Sequence, residues 1–130
     1  MQQNAVKIVD KEREFYLVSR HRHDFVEYRF SNGGFYAIDG GNDYVRVIQS
    51  VSAEQLKCVE NFCLSDDSSF DEITNRLLWG TYGKDGDQPL FYKPLISLEI
   101  SHLQAILKTQ RQLRGTIYEK VINFILKNKK

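Results

Sequence analysis

The sequence is poor in cysteine, proline and methionine, with two, two and one among 130 residues, and it has a single tryptophan. Two cysteines cannot build a disulfide framework. Cys58 and Cys63 lie five positions apart in an expected helix and so point to different faces; no mutual disulfide is expected, and both thiols are read as reduced core residues. Charge of one sign is also lacking. Eighteen Lys and Arg against 17 Asp and Glu leave a formal net charge of +1. No global field therefore steers the chain to DNA or to a membrane, and any anion recognition must come from local clusters. Long apolar runs are missing as well: none approaches the ~20 residues a bilayer span requires. The opening MQQNAVKIVDKERE carries no apolar signal stretch, so a cytoplasmic protein is expected.

What remains is an ordinary globular composition rich in aromatics, with eight Phe and seven Tyr. The length suits a single domain over residues 1–130, large enough to bury roughly two-thirds of its unfolded surface. The first half reads as strands. Val6–Val9 and Glu14–Ser19 are apolar runs. In Asp24–Ser31, Val26, Tyr28 and Phe30 alternate with Phe25, Glu27, Arg29 and Ser31, the period of a half-buried strand. Asn32-Gly33-Gly34 is a hairpin signal, Phe35–Ile38 returns, Asp39-Gly40-Gly41-Asn42 turns again, and Tyr44–Gln49 follows. An antiparallel meander is expected.

The period then changes. Ser52-Ala53-Glu54-Gln55 is a capping box, and Leu56, Val59, Phe62 and Cys63 extend the predicted helix over 53–63. One further helical turn is expected at Phe70–Asn75. Arg76–Tyr82 and Pro89–Leu95 form a second hairpin around a glycine loop, with both prolines marking an edge strand. Capping boxes at Ser101–Gln104 and Thr116–Glu119 predict two helices. The first carries Leu103, Ile106 and Leu107; the second carries Ile117, Val121, Phe124 and Ile125 on one face. Gly115 joins them into a helical hairpin, and the basic tail Lys127–Lys130 is expected to fray. The fold class is α+β.

Three clusters carry possible chemistry. Arg20-His21-Arg22-His23 places four basic side chains between two apolar strands. Arginine forks fit phosphate bidentately, and histidine can donate to phosphate or stack on a base; the competing reading is a solvated connection. Asp39-Gly40-Gly41, followed by Arg46, could admit a ligand close to the backbone, although such glycines also serve ordinary turns. Trp79-Gly80-Thr81-Tyr82-Gly83-Lys84 offers rings for base stacking and a lysine for phosphate. Trp79 is expected to be the largely buried ring and Tyr82 the available one. A metal site at His21 and His23, completed by Asp24, Asp39 or a cysteine, lacks the usual ligand spacing, so no metal or cofactor is expected. No nucleophile elbow is present, no carboxylate pair is singled out by spacing, and no catalytic activity is expected.

Two stretches together resemble a signature common in small bacteriophage proteins. One is Ser19-Arg20-His21-Arg22-His23-Asp24-Phe25 followed by Ile38-Asp39-Gly40-Gly41-x-x-Tyr44-x-Arg46. The other is Trp79-Gly80-Thr81-Tyr82-Gly83-Lys84-Asp85-Gly86-x-x-Pro89-Leu90 with His102-Leu103-x-Ala105-Ile106-Leu107-x-Thr109-Gln110. A Cys-x-Cys pair usual in such proteins is replaced here by Tyr28-Arg29-Phe30, so nothing those cysteines do is implied for this chain. The group is similar to the Thoeris anti-defence sponge family, whose members sequester cyclic ADP-ribose isomers and, in some cases, cyclic oligonucleotides of CBASS-type defence. The resemblance implies an oligomeric, non-enzymatic nucleotide trap. A protein-binding inhibitor of a host enzyme, or a small phosphodiesterase or nuclease built on His21 and His23, are the competing expectations. A homo-oligomer is also expected because the edge strands and helical hairpin offer more apolar surface than one small sheet needs.

Overall fold

A computed structural model describes residues 2–41, 46–83 and 86–128. The expected strand positions Tyr44 and Val45, the turn residues Asn42 and Asp43, the loop residues Lys84 and Asp85, and Lys129–Lys130 of the tail lie outside the described residues. The class is α+β, with antiparallel strands throughout the sheets. The chain is built from two compact units, residues 2–66 and 67–130.

The N-terminal unit arranges its antiparallel strands as two three-stranded sheets, of which the second follows chain order as a meander does. In the first, β1 (Asn4–Asp10) lies between β2 (Arg13–Ser19) and β6 (Val59–Asn61). In the second, β4 (Phe35–Asp39) lies between β3 (Val26–Arg29) and β5 (Arg46–Ser50). The alternation read in Asp24–Ser31 holds. Phe30 is buried, Val26 and Tyr28 half-buried, and Phe25, Glu27, Arg29 and Ser31 exposed. Val6 and Ile8 from β1 meet Phe30, Tyr36 and Ile38 to form the core of this unit. The Tyr28 ring packs 4.7 Å from Phe15 and 5.3 Å edge-on from Phe30. Its hydroxyl donates to Asp10 Oδ2 at 2.7 Å, and the same carboxylate accepts the Ser31 amide at 3.0 Å. These bonds hold the Asp10 carboxyl below the ordinary aspartate range, the Tyr28 bond most of all. Desolvation first, and the Asp10 bond second, push the Tyr28 phenol up to about 12.

One expectation fails here. The helix predicted over 53–63 stops after a single turn, α1 (Ala53–Leu56), and the chain becomes β6. The capping box does form: Ser52 Oγ accepts the Gln55 amide at 3.1 Å and Gln55 Oε1 accepts the Ser52 amide at 2.9 Å. Beyond it, β1 decides the outcome. Its backbone is deeply buried, and its free edge needs a partner because buried amides and carbonyls must be paired. Val59, Glu60 and Asn61 supply one, opposite Ile8, Lys7 and Val6. Cys58 is consequently exposed rather than in the core, and Cys63 is half-buried; both are free thiols.

In the C-terminal unit, α2 (Phe70–Arg76) is capped by Ser69, whose hydroxyl accepts the Glu72 amide at 3.1 Å. The expected hairpin is β7 (Leu78–Thr81) paired with β8 (Phe91–Pro94). A 3-10 turn at Leu95–Ser97 leads into α3 (Ile100–Thr109), which packs against α4 (Ile117–Asn128). The second capping box does not start α3. Glu99 occupies the N-cap without a side-chain hydrogen bond, placing Ser101 inside the first turn. At the head of α4, Glu119 accepts the amide of Gly115, one residue further back than a capping box reaches, and Thr116 donates to the Leu113 carbonyl. Val121, Ile122 and Ile125 are the buried residues of α4. Phe124, expected on that face, is 45% exposed and meets Phe70 edge-on at 5.3 Å.

Candidate functional site

The basic segment and the glycine turn, separate in sequence, come together in the N-terminal unit at the end of β2. Register alone begins the construction, because β1–β2 pairing sets Asn4 opposite Ser19. Both are buried at 1% exposure. Asn4 Nδ2 donates to the Asp39 carbonyl at 3.1 Å, tying the end of β4 to β1. Ser19 Oγ donates to the Asp24 carbonyl at 2.6 Å and accepts the Gly41 amide at 3.0 Å. One hydroxyl thus holds both ends of the site.

The segment between these anchors is closed on itself. Asp24 Oδ2 accepts the Arg20 amide at 2.8 Å, and the Asp24 amide donates to the His21 carbonyl at 2.9 Å. His23 takes a left-handed backbone, φ 68°, which costs an L-residue roughly 1–2 kcal/mol. The clamps on either side sustain that conformation. Arg20, His21, Arg22 and His23 all project as exposed side chains from this short constrained loop.

Gly40 and Gly41, at φ 105° and 54°, are buried. The close approach that glycine permits at position 41 is to the chain itself. A Cβ there would lie 2.8 Å from His21 Cα and closer still to its carbonyl group. Gly41 therefore positions the basic loop. Asp39 is 8% exposed. Its Oδ2 lies 3.7 Å from Arg46 Nε, the cross-strand neighbour, while Oδ1 is buried with no hydrogen-bond partner among the described residues. A buried acceptor left in that state costs about 1–3 kcal/mol.

The aromatic cluster belongs to the other unit. Trp79 is partly buried and the less exposed of the two rings, with Tyr118 of α4 as an edge-on neighbour at 5.9 Å. Burial pushes the Tyr118 phenol up. Tyr82 follows β7 and is 57% exposed. Gly80 pairs with Tyr92, whose ring a Cβ at position 80 would meet at 3.1 Å. Lys84 lies outside the described residues.

The exposed residues of the basic loop are visible in the sequence, but two of the groups around it are not: Asn4 belongs to no motif, and Ser19 heads the basic motif without any sign of the two bonds its hydroxyl makes. Both roles become visible only through β1–β2 register. Among the described residues no group of three or more His, Cys, Asp or Glu side chains is placed to hold a metal ion, and no helix is long and apolar enough to cross a membrane. Comparisons with protein-family models, with curated proteins and with solved structures found no match.

Proposed function

We propose that the protein binds and sequesters a cyclic nucleotide immune signal, a cyclic ADP-ribose isomer or a cyclic oligonucleotide, without cleaving it, as a bacteriophage anti-defence sponge. One observation carries this reading: four exposed basic side chains stand on a loop held by Ser19, Asp24 and Gly41. Phosphate binding gains from such a loop because little ordering is left to be done when the ligand arrives. Two arginines supply bidentate donors to a pyrophosphate or phosphodiester, and two imidazoles supply further donors. Asp39 Oδ1, which has no hydrogen-bond partner among the described residues, is an acceptor suited to a hydroxyl or amino donor on the same ligand. A homo-oligomer accompanies this proposal, to be read by sedimentation at micromolar concentration.

Calorimetry with cyclic ADP-ribose and with a cyclic dinucleotide tests the assignment. Losing a charge-assisted bond costs roughly 1.5–3 kcal/mol, so Arg20→Ala with Arg22→Ala should weaken binding by at least tenfold. Unchanged binding in the double variant would remove the basic loop from the site.

A further inference from the structure

The C-terminal unit contains a groove that the basic loop does not explain. Its walls come from two pieces of chain. In the β7–β8 hairpin Thr81 pairs with Phe91 and Trp79 with Lys93, and directly opposed residues share a face. Thr81, Phe91 and Lys93 thus form one wall. The turn into α3 forms the other, with Glu99, Ser101 and His102. The volume of this open groove is about 460 Å³, within the range of small-molecule sites, roughly 300–1,000 Å³.

The lining is chemically specific and unused. Lys93, Glu99, Ser101 and His102 make no side-chain hydrogen bond or ion pair among the described residues. Thr81 is only 8% exposed; its hydroxyl accepts the Gly83 amide at 3.1 Å, and its own proton meets no acceptor among the described residues. Phe91 is 39% exposed, an uncovered ring on the wall. The first intrahelical bond of α3 runs from the Leu103 amide to Glu99, so the amides of Ile100, Ser101 and His102 have no partner within the helix.

We propose that this groove is a second ligand site, for a nucleoside phosphate. The ring of Phe91 takes the flat base, as exposed aromatics do for any base. Lys93, His102 and the first-turn amides of α3 take the phosphate. The Glu99 carboxylate accepts from sugar hydroxyls. A ligand bearing only the anion would leave Phe91 and Glu99 unused, and one bearing only the ring would leave Lys93 unused.

Adenosine 5′-monophosphate is the probe, titrated against the full chain, with inorganic phosphate and adenosine in parallel. Trp79, the single tryptophan, shares the hairpin face with Lys93 and supplies an emission signal. The monophosphate should bind more tightly than either fragment. Lys93→Ala and Phe91→Ala, both at exposed positions, should each weaken it roughly tenfold without lowering the melting temperature. The Arg20→Ala, Arg22→Ala double variant should lose cyclic nucleotide binding while keeping the part of the monophosphate titration that depends on Lys93 and Phe91. Monophosphate affinity indifferent to Lys93 and Phe91, or no better than that of phosphate alone, overturns the groove and leaves the basic loop standing. Monophosphate binding that depends on Lys93 and Phe91, with cyclic nucleotide binding indifferent to Arg20 and Arg22, upholds the groove and overturns the basic-loop reading.

Discussion

Adding one methyl group at Gly41 separates a turn glycine from a packing glycine. At φ 54° an alanine carries the left-handed penalty, about 1–2 kcal/mol, partly offset by the ~0.4–1 kcal/mol that restricting the unfolded chain returns. The contact with the His21 backbone is additional. With a Cβ inside 3 Å of three His21 atoms, the basic loop has to shift, a cost of the overpacking size, about 1–3 kcal/mol. Gly41→Ala should therefore destabilise the N-terminal unit by roughly 2–4 kcal/mol. Gly33→Ala is the control: the same unit, φ 91°, and nothing within 4 Å of the added carbon. It should cost only about 1 kcal/mol. Urea unfolding followed by amide signals of β1 and β4 measures the difference. Tryptophan emission would not serve, since Trp79 lies in the other unit. A midpoint gap of roughly 1 M between the two variants is expected for a small domain. The folded fraction of Gly41→Ala should also bind nucleotide more weakly, because its loop is displaced. Equal midpoints would refute the packing argument.

Trp79→Ala should cost about 2 kcal/mol, near half the value for a fully buried ring, while Tyr82→Ala should stay within about 0.5 kcal/mol; thermal melts that rank them the other way would overturn the placement of the two rings. The Asp10–Tyr28 bond makes stability fall at both ends of the pH scale. A depressed aspartate pKa stabilises above its unfolded value near 3.8 and is lost as pH drops through the lower folded value. A phenol raised to about 12 stabilises below pH 10, with the loss growing as pH climbs from 10 through 12. Asp10→Ala should flatten the acid limb and bring the Tyr28 ultraviolet titration to lower pH; an unmoved titration would mean that the hydrogen bond contributes nothing to it.

The elements legible in the sequence were those with a local cause. Val26, Tyr28 and Phe30 show their strand by alternation, and Ser52 and Gln55 show their cap by spacing. The misread elements depend on distant partners. Leu56, Val59, Phe62 and Cys63 have helical spacing, yet pairing with β1 outweighs it. The β1–β2 turn, by contrast, offers no local signal to read: it is Lys11-Glu12, both at positive φ, 49° and 67°, where Asn-Gly is the usual marker. At the basic loop, the residue types were visible as chemistry. That Gly41 packs on His21, and that one Ser19 hydroxyl bonds both Asp24 and Gly41, follows from how the strands pair and could not be read locally.

A sponge captures its ligand without converting it. Labelled cyclic ADP-ribose, equilibrated with a stoichiometric excess of the protein, freed by heat denaturation and resolved by chromatography, tests it most directly. Ligand should be retained before heating and recovered intact afterwards, and retention should disappear in the Arg20→Ala, Arg22→Ala double variant; the same assay with a cyclic dinucleotide covers the other ligand class. Recovery of a cleaved product, or no retention of either ligand, would contradict it.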